Sequence, residues 1–139
     1  MKTKPALVAE DVQLIIKNAR RFADDKGYRV SISVVDDGGN MLGMIRLDGA
    51  APLTAAISRN KARTAALSRK ESRAHEESIN GGRYALLSAP LKAMMEGGVP
   101  VMVGGEVAGA VGVSGVKSAQ DAEIAKAGIR GLDLDGAEA

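Results

Sequence analysis

Residues 97–115 read GGVPVMVGGEVAGAVGVSG, and this stretch decides the fold. Two β-branched runs, 99–103 and 107–113, are split by Gly104 and Gly105. Paired glycines between such runs predict a hairpin, because a two-residue turn needs positive φ at its centre. Alternation along the second run sets Val107, Gly109, Val111 and Val113 on one face. The other face carries Ala108, Ala110, Gly112 and Ser114, nothing larger than a hydroxymethyl group. So much glycine and alanine weakens a strand, and the usual return is close approach by a helix, a ligand or a neighbouring subunit. Beyond Gly115, Ser118-Ala-Gln-Asp121 reads as a capping-box start to a helix that runs to about Leu132.

Upstream, residues 91–95 read as a short strand leading into the hairpin, and Asn80-Gly81-Gly82 as a break. Residues 68–77 are charged on all sides, the pattern of a short solvated helix or of an arm that meets another subunit. Pro52 suits the first turn of a helix that runs through Ala55, Ala56, Ile57, Lys61, Thr64 and Ala65, whose alanine-rich face is thin enough to lie close to a sheet of small residues. Runs 28–35 and 41–47 flank the turn residues Asp36-Asp37-Gly38-Gly39-Asn40 and predict an antiparallel hairpin. Val8, Val12, Ile15, Ile16, Ala19, Phe22 and Ala23 fall on one helical stripe that stops at Gly27. The order of elements and the short strand connections give an α+β domain with one antiparallel sheet. A single domain covers 1–139, with its core over about 6–132 and a tail at 133–139 expected to fray.

Only three aromatic side chains are present, Phe22, Tyr28 and Tyr84, so the core is aliphatic and small, and association would add burial that rings do not supply. A net charge of +2 argues for neither nucleic acid nor an anionic membrane as partner. The absence of cysteine excludes disulfides and thiolate metal sites. No apolar run approaches the roughly 20 residues of a membrane span, and the basic Met1-Lys2-Thr3-Lys4 precedes no signal-peptide core, so the expected location is the cytoplasm.

Three blocks, VSISVVDDGGNMLGMIRLDGA (30–50), NKARTAA (60–66) and EGGVPVMVGGEVAGAVGVSGVKSAQDAEIAKAG (96–128), resemble the GlcG/HbpS-like family of haem-degrading or haem-binding domains. The most specific parts are Gly-Gly-Val-Pro before the hairpin and Gly-Val-Ser-Gly followed six residues later by Asp121. The resemblance implies a profilin-like, five-stranded antiparallel sheet flanked by helices. It implies homo-oligomers too, from dimers to octamers. It further implies a small-molecule ligand, haem or a corrinoid-related one among them, and a setting beside catabolic genes.

Each chemical candidate has a plain structural reading beside it. His75, the one histidine, is the axial ligand in a haem-binding reading, but a solvated histidine is the ordinary outcome in Arg73-Ala-His-Glu-Glu77. Lys61, in the family's Lys-Ala motif, would pair a propionate or carboxylate, act as a desolvated amine, or pair with an Asp across the helix–sheet layer. Ser114 and Gly115 open a turn whose free N–H groups, with Lys117 alongside, would suit an anionic group; a plain capping turn is the ordinary reading of the same residues. Asp121 is either a cap or a general base, and Arg46 stands at the far end of the first hairpin. No Ser-His-Asp order or HExxH motif is present, and a single histidine set in a charged segment argues against a triad and excludes a multi-His metal site within the chain, so no metal is expected.

Three readings follow. The first is an oligomeric binder of a small molecule or haem, with His75, Lys61, Ser114 and Gly115 at its site. The second is a cofactor-free isomerase- or lyase-type enzyme of small organic acids, using Lys61, Asp121 and Arg46. The third is a structural or adaptor subunit. In the first, the charged arm brings His75 across a subunit boundary to the sheet end where Arg46, Lys61 and the 114–121 turn converge.

Overall fold

The computed structural model describes residues 1–132 and 134. In chain order it contains helix α1 (Ala9–Lys26), strands β1 (Ser31–Asp36) and β2 (Met41–Arg46), helices α2 (Leu53–Ser68) and α3 (Ser72–Asn80), a 3-10 turn over Tyr84–Ser88, strands β3 (Gly98–Val103) and β4 (Glu106–Ser114), and helix α4 (Ser118–Arg130). The strands form one antiparallel sheet in the order β2-β1-β4-β3. The α+β class stands, but the sheet has four strands among the described residues, not five. Residues 91–95 join no strand ladder: Ala93 takes a left-handed φ of 53°, which breaks an extended run. Apart from Leu134, the tail expected to fray lies outside the described residues.

The β3–β4 hairpin turns on Gly104 (φ 57°) and Gly105 (φ 79°), the two positive values such a turn requires. β4 lies inside the sheet between β1 and β3, and both faces are covered. On one face α1 and α4 pack together, and Ile15, Ala19, Ile32, Val34, Val111, Val113 and Ile124 form the main aliphatic core. On the other, Ala62, Ala65 and Ala66 of α2 lie on Val35 and Ala110. Gly112 makes this approach possible: a Cβ there would overlap the Ser58 carbonyl and the Ala62 N–H of α2.

A bulge between Val101 and Met102 alters the expected faces of β4. Met102 pairs with Val107 and Val101 with Gly109, so Ala108 is the extra residue. Ala108 therefore joins the main core, and Val107 is re-aimed to stand beside Met102.

Capping also differs from expectation. Ser118 is already helical, and the Lys117 N–H donates to Gln120 Oε1 at 3.3 Å. Asp121 is thereby released from the cap. No described helix is long and apolar enough to cross a membrane.

Candidate functional site

Thr54, Ser58 and Lys61 are spaced four and three residues apart and fall on the face of α2 that meets the sheet. There they build a polar seam. Ser31 Oγ lies 2.8 Å from Thr54 Oγ1, and Ser33 Oγ lies 2.7 Å from Ser58 Oγ. Lys61 ends the seam: its Nζ donates to the Val113 carbonyl and to Asp121 Oδ2, both at 3.1 Å. The Asp121 carboxylate also accepts the Val116 N–H at 3.1 Å and the Gly115 N–H. Burial pushes the Asp121 carboxyl up, while the Lys61 charge and the backbone donors pull it the other way.

The Lys61 and Asp121 side chains are only 3% and 2% exposed, so this pair is closed to a substrate. Of the alternatives for Lys61, the pairing with an Asp across the helix–sheet layer is the one observed. The same geometry corrects the anion-binding turn. The N–H groups of Gly115 and Val116 serve Asp121 and that of Lys117 serves Gln120, so none is left free for an incoming anion; Ser114 itself is buried.

Arg46 does not join this group. It is exposed on the edge strand β2, opposite Ser31, with β1 between it and β4.

His75 is not solvated. It is 5% exposed, and its Nε2 lies 2.8 Å from Ser68 Oγ. Ser68 gives its single hydroxyl proton to the Thr64 carbonyl at 2.7 Å, so the histidine must donate to Ser68. Burial, and then the nearby Lys70 charge, hold His75 below the ordinary histidine range, in its neutral form. The ring is held against Ser68 of its own chain. A readable signal existed: Ser72, His75 and Ile79 form an inward stripe on α3 at spacings of three and four, hidden in a run read as charged all round.

At the hairpin end of the sheet lies a cleft of about 580 Å³. Lys2, Lys4 and Arg69 bring three cations to it, Asp37 and Glu106 two carboxylates, and Met102 and Val107 an apolar surface. Lys4 Nζ lies 2.7 Å from Asp37 Oδ2, and Lys2 pairs with Glu106. Arg69 ends α2 in the left-handed region (φ 62°), and its guanidinium donates to the Asp37 carbonyl at 2.6 Å and the Ala66 carbonyl at 3.0 Å. The hydrogen bond from Lys4 is the main cause holding the Asp37 carboxyl below its usual value. Sequence reasoning missed this cleft, because its residues come from positions 2, 4, 37, 69 and 102–107 and share no motif.

Comparison with known proteins agrees with the fold. The model of the family described as haem degrading protein HbpS-like matches residues 7–130. Protein GlcG of Escherichia coli K12 is 50% identical over 114 residues, covering 82% of this chain and 85% of that protein. The crystal structure of Klebsiella pneumoniae ORFY, a DUF336 protein, superposes with a TM-score of 0.88 at 27% identity, over 94% of this chain and 93% of the other. A double mutant of Streptomyces reticuli HbpS superposes with a TM-score of 0.85 at 28% identity, over 95% and 90%. With a family model spanning nearly the whole domain and a relative at half identity, this chain belongs to the HbpS-like family.

Proposed function

We propose that the chain binds an amphipathic organic anion of haem type in the cleft at the hairpin end of the sheet. The observation that carries this reading is the composition of the cleft, three cations and two carboxylates around the apolar Met102 and Val107. Its volume of about 580 Å³ falls within the usual range of small-molecule sites. The family's description as haem-degrading supports the same ligand class.

The donor set supports this fit. Lys2, Lys4 and Arg69 would hold the propionates, and Met102 and Val107 would meet the ring face. The Met102 thioether is the soft donor among the lining residues, and His75 is not one of them. Haem thus enters as a ligand held mainly by its carboxylates and its apolar body, not as a group anchored by histidine.

Titration of haemin by absorbance tests the reading. Saturable binding should weaken about tenfold in Arg69→Glu, equivalent to ~1.4 kcal/mol, and stay unchanged in His75→Gln. Absence of saturable binding, or loss in His75→Gln with Arg69→Glu unaffected, overturns it.

A further inference from the structure

Residues 1–7 cross the hairpin end of the sheet without joining it. They lie in neither helix nor strand, and among the described residues no backbone hydrogen bond ties them to a neighbour. Leu7 is their apolar anchor: it packs on the main core and fills the notch over Gly109, where a Cβ would overlap its side chain. Ahead of that anchor the segment is held by two ion pairs, Lys2 with Glu106 and Lys4 with Asp37.

In both pairs the lysine lies outermost. The Lys2 and Lys4 side chains are 78% and 62% exposed, those of Glu106 and Asp37 29% and 21%, so the segment roofs the two acids. Pairs this exposed are weak and screened by salt, and another carboxylate can take the acid's place. Neither acid depends on its lysine. Asp37 Oδ2 also lies 3.7 Å from Arg69 Nη2, and Glu106 keeps access to water. Arg69 itself is fixed to the end of α2 by the Asp37 and Ala66 carbonyls. The two acids border the apolar Val107 from different elements: Glu106 precedes it on β4, and Asp37 follows Asp36 of β1, which pairs with Gly109.

We propose that residues 1–6 form a strap, hinged at Leu7, whose two lysines exchange Glu106 and Asp37 for the two carboxylates of an apolar dicarboxylate, so that the cleft selects its ligand by carboxylate count and closes over it. This rests on the reading of the cleft as a site for a haem-type anion. Without ligand, Glu106 and Asp37 hold the lysines in place. A ligand that takes over one lysine brings its second carboxylate beside the other, and the second exchange is favoured by that proximity. A monocarboxylate leaves one native pair competing against closure, and a neutral diester leaves both. Glu106 and Asp37 are thus specificity-determining: they set the threshold that a ligand's charge must overcome.

The strap is tested first without any ligand. The chain has no cysteine, so Thr3→Cys carries a single spin label between the two lysines. The label should be restrained at low salt and loosened both by raised salt and by Glu106→Gln; a label equally mobile in all three conditions overturns the strap, whatever haemin does. The exchange is tested by absorbance titration with haemin and with haemin dimethyl ester. Haemin should bind about tenfold tighter than the ester. Glu106→Gln, which removes the competing carboxylate, should tighten haemin about threefold and leave the ester unchanged. Saturable haemin binding that the ester equals, or that Glu106→Gln does not tighten, overturns the exchange while the cleft remains a haem-type site. Absence of saturable haemin binding overturns the cleft reading and the exchange together.

Discussion

Lys61 Nζ and Asp121 Oδ2, sixty residues apart in the chain, lie 3.1 Å from each other in the interior. The pair joins α2 to the end of β4 and to the first turn of α4, because Lys61 also holds the Val113 carbonyl and Asp121 the Val116 N–H. Its role is to brace the two helices against opposite faces of one strand.

Removing either charge should therefore be costly. Lys61→Met leaves a buried carboxylate without its cation and should lose about 3–5 kcal/mol in urea denaturation. The double change Lys61→Met with Asp121→Leu should recover most of that loss. Burial already raises the Asp121 carboxyl, and loss of Lys61 raises it further. Where the folded-state value lies above the unfolded one, the native state binds more protons, so the deficit of Lys61→Met should shrink as pH falls. A single variant as stable as the parent would contradict the brace.

Gly112→Ala tests the contact between α2 and β4. The backbone at Gly112 is outside the left-handed region, so the cost is steric and comes from the Ser58 carbonyl and the Ala62 N–H, which cannot move without shifting the helix. A loss of about 3 kcal/mol is expected in the same assay. A neutral result would mean that α2 stands further from the sheet.

His75 should give the protein an acid-sensitive component of stability. Its value lies near 6.5 unfolded and lower when folded, because burial and Lys70 disfavour the cation. Between the two values the unfolded chain binds more protons. The stabilisation is therefore fully present above about pH 6.5 and is lost as pH falls through the window toward the folded-state value. The difference in melting temperature between about pH 8 and about pH 5 should be smaller in His75→Gln than in the parent. An equal difference would place the acid sensitivity elsewhere.

The cleft's ion pairs should matter for binding and little for folding. Lys2 and Lys4 are largely exposed, and pairs of that kind contribute about 0–1 kcal/mol. Lys2→Ala with Lys4→Ala should leave the melting temperature within a few degrees, yet weaken haemin binding and flatten its dependence on salt. Unchanged affinity would remove these lysines from the site.

Local chemistry was legible wherever a short window contains its own physics. The double glycine announced the 104–105 turn, the aliphatic stripe announced α1, and the small residues of β4 announced a close approach. Even Lys61's pairing with an aspartate was among the readings of a lysine between a helix and a sheet. Residues 91–95 were misread because an apolar run of that length suits a strand only if a partner strand lies beside it, and here the chain bends at Ala93.

By itself the sequence determined the α+β class, the two hairpins and the aliphatic core, because periodicity and turn residues act over a few positions at a time, while its motif blocks carried the resemblance to the HbpS-like family. Tertiary structure alone decided that the sheet has four strands among the described residues, that His75 is sealed against Ser68, that the bulge turns Val107 toward Met102, and that Lys2, Lys4, Asp37 and Arg69 meet in one cleft. Those outcomes depend on groups tens of residues apart competing for the same buried space and the same hydrogen-bond partners, a contest settled only when the helices close on the sheet.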